Sequence, residues 1–127
     1  MNTDRLRHSS IIALFLILSC CGNGRTTLGT IDLVQWKSDR NACGGLRTRS
    51  IEEFQLHKNE LLGLSETEVI ALLGKPDQNE LYKRNQKFYY YFLEPAAACA
   101  SAVAVSNPKR LMVRFNAVGL AKEVSVQ

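Results

Sequence analysis

Four cysteines and two histidines are the residues of this chain best suited to chemistry. Cys20 and Cys21 are adjacent, while Cys43 and Cys99 stand far apart. A thiolate can act as a nucleophile, bind a metal, take an acyl group or close a disulfide. Thiol redox catalysis is disfavoured, because no Cys-x-x-Cys spacing occurs. So is a zinc site: beyond Cys20-Cys21 no two cysteines are close, and His57 is the sole histidine past residue 20. A hydrolase would have to draw on Glu52 or Glu53 with His57. The two glutamates are adjacent on a helical pattern and point about 100° apart, which makes a poor catalytic pair. His57 falls near the polar side and reads as solvated. With no phosphate loop and no nucleophile–base–acid set, the chain reads as a non-enzyme that needs no metal or cofactor.

The first two cysteines have a different logic. Arg5 and Arg7 precede an unbroken apolar run, Ile11 to Leu18, and Ser19 then precedes Cys20. A charged start, an apolar stretch and a small residue make a secretory signal. The run is too short for a membrane span, which needs roughly 20 residues. Ile17-Leu18-Ser19-Cys20 resembles the lipobox of bacterial lipoproteins. In that reading residues 1–19 are cleaved and Cys20 carries the lipid, palmitate included. The competing reading is that both cysteines merely end a signal or a short anchor. Cys21 is the weaker acylation candidate, since Cys20 and not a small residue precedes it. Export to an oxidising compartment makes a Cys43–Cys99 disulfide plausible, with two independent thiols as the alternative.

Residues 20–127 amount to one domain. Cleavage would lower the net charge of +4 by one, through loss of Asp4, Arg5 and Arg7. The basic residues are scattered and form no nucleic-acid arm. Residues 20–45 read as a lipidated tether and an irregular segment, with residues 22–30 small and polar. Within them Ile31 to Trp36 is a short ordered stretch, and Trp36 is expected at the core edge.

The elements that position the rest lie in residues 46–127. From Leu46 to Leu62 the spacing of Ile51, Phe54, Lys58 and Leu61 predicts a helix. A second helix starts at Ser65-Glu66-Thr67-Glu68, a capping box, with Leu64 and Val69 as a staple. Val69, Ile70, Leu72 and Leu73 form its buried side, and Gly74 with Pro76 stops it. The period then becomes two. Strands are expected over 78–83, 87–93, 111–115 and near 124–126, with turns at Arg84-Asn85-Gln86 and Asn116 to Gly119. Leu111, Val113 and Phe115 face the core. Phe88, Tyr90 and Phe92 are assigned to the helix side, and Tyr89, Tyr91 and Leu93 to the other. Residues 95–108 read as a long loop holding Cys99. The fold class is α+β: two N-terminal helices packed on one face of a three- to four-stranded antiparallel sheet. Tyr89 and Tyr91 then become partner-binding candidates on an open face, unless the 95–108 loop covers them.

Gly63-Leu64-Ser65, Val69, Leu72-Leu73-Gly74-Lys75-Pro76, the aromatic strand Phe88 to Phe92, Leu111 to Phe115 and Gly119 occur in an order that resembles the SmpA/OmlA (BamE-like) family of outer-membrane lipoproteins. The resemblance covers residues 61–126 plus the lipobox. β-Lactamase-inhibitor-like domains share the spacing. It implies a lipid-anchored outer-membrane protein with its domain in the periplasm, serving as a binding or scaffold module in outer-membrane protein assembly. The absence of an acidic residue after Cys20 agrees with that family's outer-membrane sorting. The implied partners are the membrane, through the lipid, and an envelope protein such as a barrel-assembly subunit. The family's Ile-x-Gln-Gly segment before the first helix is missing here; that region carries Trp36 and Cys43 instead. The alternative is an inhibitor-like or sensor module that binds a periplasmic enzyme or peptidoglycan.

Overall fold

A computed structural model describes residues 24–100 and 104–127. The leader at 1–19 and the proposed lipidation at Cys20 lie outside them.

The ordered domain starts well before residue 46. β1 (Thr27–Leu28) and β2 (Ile31–Asp32) form a small antiparallel ribbon, with Leu28 opposite Ile31. Leu28, Ile31, Leu33 and Trp36 all enter the main core. Leu28, expected within the tether, and the ordered stretch from Ile31 to Trp36 are therefore both part of the domain. The cause at Leu28 is simple: it is a lone apolar residue in a small, polar stretch, too isolated to show a period, yet it is fully buried. α1 (Leu33–Ser38) follows directly, capped by Asp32, whose Oδ1 accepts from Val34 N at 2.9 Å and Gln35 N at 3.2 Å. Trp36 is 2 % exposed and central, not at an edge. Its ring meets Phe54 at 4.4 Å and Tyr91 at 6.3 Å between centroids.

The expected helix over 46–62 is in fact composite. α2 (Ile51–His57) is flanked by 3-10 turns at Thr48–Ser50 and Lys58–Leu61. Leu46 and Arg47 stay outside it, because the Arg47 amide donates to Asp39 Oδ2 at 2.9 Å. Phe54 and Leu61 are buried as the spacing predicts.

α3 (Glu66–Leu73) has its capping box in place. Glu68 N donates to Ser65 Oγ at 3.2 Å, and Ser65 N donates to Glu68 Oε2 at 2.7 Å. Val69, Leu72 and Leu73 are buried, but Ile70 is exposed. Gly74, at φ 83°, ends the helix in a conformation that side chains resist. The last carbonyls find aromatic donors: Trp36 Nε1 reaches Leu73 O at 3.0 Å, and Tyr91 OH reaches Gly74 O at 2.9 Å.

Four strands complete the fold: β3 (Gln78–Tyr82), β4 (Gln86–Phe92), β5 (Arg110–Phe115) and β6 (Ala121–Val126). They form an antiparallel meander in chain order. The β3–β4 turn uses left-handed Arg84 and Asn85. The class is α+β; the described residues hold a four-stranded antiparallel sheet, a two-stranded ribbon and three α-helices, where two helices were expected.

Candidate interaction surface

Register decides which aromatic residues a partner could reach. Tyr89 lies opposite Val113, and Tyr91 opposite Leu111. Directly opposed residues share a face, so Tyr89 and Tyr91 join the side where Leu111, Val113 and Phe115 meet the helices. Tyr91 is 0 % exposed and Tyr89 7 %. The assignment of Tyr89 and Tyr91 to an open face is therefore inverted. The run Phe-Tyr-Tyr-Tyr-Phe-Leu is apolar on both sides, so alternation alone could not choose between them. The buried hydroxyls are nonetheless satisfied. Tyr89 OH donates to Glu66 Oε2 at 2.8 Å, and Tyr91 OH donates to the end of α3. Burial, reinforced by Glu66, pushes the Tyr89 phenol up to about 12. Burial raises Tyr91 as well.

The opposite face carries Tyr82, Phe88, Tyr90, Phe92, Arg110 and Arg114. Phe88 stacks on Tyr90 at 6.3 Å, and Tyr82 meets Phe88 edge-on at 5.9 Å. The Arg110 guanidinium lies 4.0 Å over the Tyr90 ring. Arg114 Nε donates to Glu123 Oε2 at 2.9 Å. Tyr90 and Phe92 are buried here as well; what solvent reaches is exposed Tyr82 and half-buried Phe88, Arg110 and Arg114.

One end of that surface is walled by the loop after β4. Phe92 packs with Ala42 and Ala96 in a second, smaller core. Cys43 and Cys99 are at bonding distance, with Cα atoms 5.4 Å apart. They tie the turn at 39–47 to this loop, and Ala96 N donates to Asn41 O at 3.2 Å beside them. The loop thus borders Phe92, not Tyr89 and Tyr91.

A polar lock beneath the disulfide escaped the sequence reading. Asp77, with no exposed side-chain area, gathers Arg47 Nη1 at 2.5 Å, Phe92 N at 2.9 Å, Asn41 N at 3.1 Å and Arg40 Nε at 3.2 Å. Arg47 is also buried, and its guanidinium stacks 4.4 Å over Trp36. Burial pulls Arg47 below its ordinary value while Asp77 pushes back. Asp77 carries only a turn signal in the sequence, since all its partners come from distant segments.

His57 does meet Glu53, four residues away on the same helix face. Nε2 is 3.2 Å from Glu53 Oε1, and Nδ1 is 2.6 Å from Glu60 Oε1. Glu53 also accepts from Thr30 N at 2.9 Å, and Arg25 pairs with Glu60. The group clips the N-terminal ribbon to α2. A side chain on Gly29 would collide with it. Its polar atoms are spent on one another, and the adjacent depression, lined by Asp32, Gln35, Arg49 and Ser50 with Glu53, does not include His57.

No family model matches the chain, and no curated protein and no solved structure matches it either.

Proposed function

We propose that this chain is a lipid-anchored binding or scaffold protein of the bacterial envelope, held at the outer membrane through Cys20 with its domain in the periplasm. It acts by presenting a surface, not by chemistry. In this reading the helices cover one face of the sheet, as the resemblance to SmpA/OmlA lipoproteins implies, and the protein serves outer-membrane barrel assembly. The observation that carries the proposal is a patch on the sheet face away from the helices: exposed Tyr82 on β3 beside half-buried Phe88, Arg110 and Arg114, whereas Tyr89 and Tyr91 are enclosed. Aromatic and arginine side chains on an open face are favoured contact residues.

The test is a photoreactive side chain at Phe88, with one at Tyr89 as the enclosed control, in intact envelopes. Crosslinks from Phe88 to barrel-assembly subunits are expected. Capture of a single periplasmic hydrolase, or of peptidoglycan, would favour the inhibitor-like or sensor reading. Equal capture from both positions would remove the outer face from consideration. Lipidation is read separately: Cys20→Ala abolishes metabolic palmitate labelling if the anchor is assigned correctly.

A further inference from the structure

β3 is an edge strand with every residue exposed, and its one partner among the described strands is β4. Its far side therefore presents a row of backbone donors and acceptors without a neighbouring strand. Leu81 is 73 % exposed on this edge. Two shallow clefts run along it and share Asn79 and Tyr89. One lies toward α3 and is bordered by Ile70 and Lys75; the other is bordered by Leu81 and Lys87. Asn79 and Leu81 point to the helix side, since they oppose Tyr89 and Lys87 in register. The edge thus has both parts of a strand-addition site: main-chain groups for affinity and side-chain clefts for selection.

The charge around it selects the occupant. Lys75 precedes the strand, and Lys83 and Arg84 follow it. All three are exposed, and none pairs with a carboxylate among the described residues. A second copy is a poor fit. Antiparallel pairing about the strand centre would set Glu80 against Glu80, and Lys75 of one copy near Lys83 and Arg84 of the other. We propose that β3 accepts, by antiparallel strand addition, an extended segment of another protein that has acidic residues at both ends and alternating apolar residues between them. The inference extends the interaction role proposed above to a second surface, and it does not depend on lipid at Cys20.

The probe is a nine-residue peptide that alternates valine and threonine between paired aspartates, compared with its lysine-ended counterpart. Both are titrated against the full chain. The acid-ended peptide should bind at least about tenfold more tightly, a ratio that falls with salt. Amide exchange should slow over 78–82. Changing Lys75, Lys83 and Arg84 together to Glu should invert the preference while the far-UV spectrum and melting temperature stay unchanged. Arg110→Ala should leave binding intact. The proposal falls if neither peptide binds, if both bind equally, if protection centres on the Phe88 face, or if the chain pairs with itself through β3. Phe88 crosslinking reports the outer face independently, so the two readings fail separately.

Discussion

Arg47 and Asp77 meet in the interior, with Nη1 2.5 Å from Oδ2 and neither side chain exposed. This contact joins the segment before α2 to the entry of the sheet. Arg47 also donates to Trp36 O at 3.1 Å and Phe92 O at 3.3 Å, which links both cores. Its Nη2 has no hydrogen-bond partner among the described residues, so the Asp77 contact is the main compensation for burying the charge.

Removing one partner strands the other charge. Asp77→Ala or Arg47→Ala should therefore cost about 3–5 kcal/mol. Replacing both with apolar residues of similar size should cost much less. Urea denaturation of the two singles and the double decides this; singles that unfold like the parent would contradict the lock.

The Cys43–Cys99 link closes a loop with a sequence separation of 56. On the chain-entropy argument it should stabilise by about 4 kcal/mol. Reduction, or Cys43→Ser with Cys99→Ser, should lower the melting temperature and loosen Ala96 from Phe92. Identical unfolding of oxidised and reduced protein would argue against it.

The faces of β4 predict an asymmetry between neighbours. Tyr91→Ala should cost about 3–5 kcal/mol through lost burial and a cavity. Phe88→Ala should cost clearly less. Comparable losses at both positions would mean that the register is wrong.

Alkali tests the same enclosure. Tyr89 ionises near 12 in the folded state against 10.0 in the open chain. The folded state thus holds its phenol proton more tightly. The stability that this contributes is complete below pH 10 and is lost as the pH rises toward 12. Ultraviolet titration should show a late tyrosinate step that Glu66→Gln shifts downward. A fully coincident tyrosine titration would count against the Tyr89–Glu66 contact.

Acid should release the N-terminal ribbon. The amide of Thr30 foremost, with His57 beside it, holds the Glu53 carboxylate below its usual range; Arg25 foremost does so for Glu60. These carboxylates contribute above their ordinary value near 4.5, and the contribution disappears as the pH falls through their lowered values. Exchange at the Thr30 amide should accelerate over that window, and Glu53→Gln should produce the same effect at neutral pH. A pH-independent Thr30 amide would disprove the clip.

The elements that local chemistry specifies were legible. Ser65 and Glu68 lie one turn apart, and their capping box is visible without any tertiary knowledge. Leu111, Val113 and Phe115 alternate with Met112 and Arg114, and the charge of Arg114 marks the other face. β4 lacks that contrast, and only its pairing with β5 assigns Tyr89 and Tyr91 inward. Leu28 is a lone apolar residue in a polar stretch, and it is buried only because it joins a core drawn from distant segments. Asp77 draws its partners from residues 40, 41, 47 and 92, which no short window contains. The pattern of β4 therefore put Tyr89 and Tyr91 on the wrong face of the sheet.

Because Leu28 is already part of the core, any lipid at Cys20 would hold the domain on a short leash. The seven residue steps from Cys20 to Thr27 span at most about 25 Å when fully stretched. An anchored domain of this kind could patrol only the layer next to its own leaflet. Its binding partners would have to come to that layer, or already be embedded there.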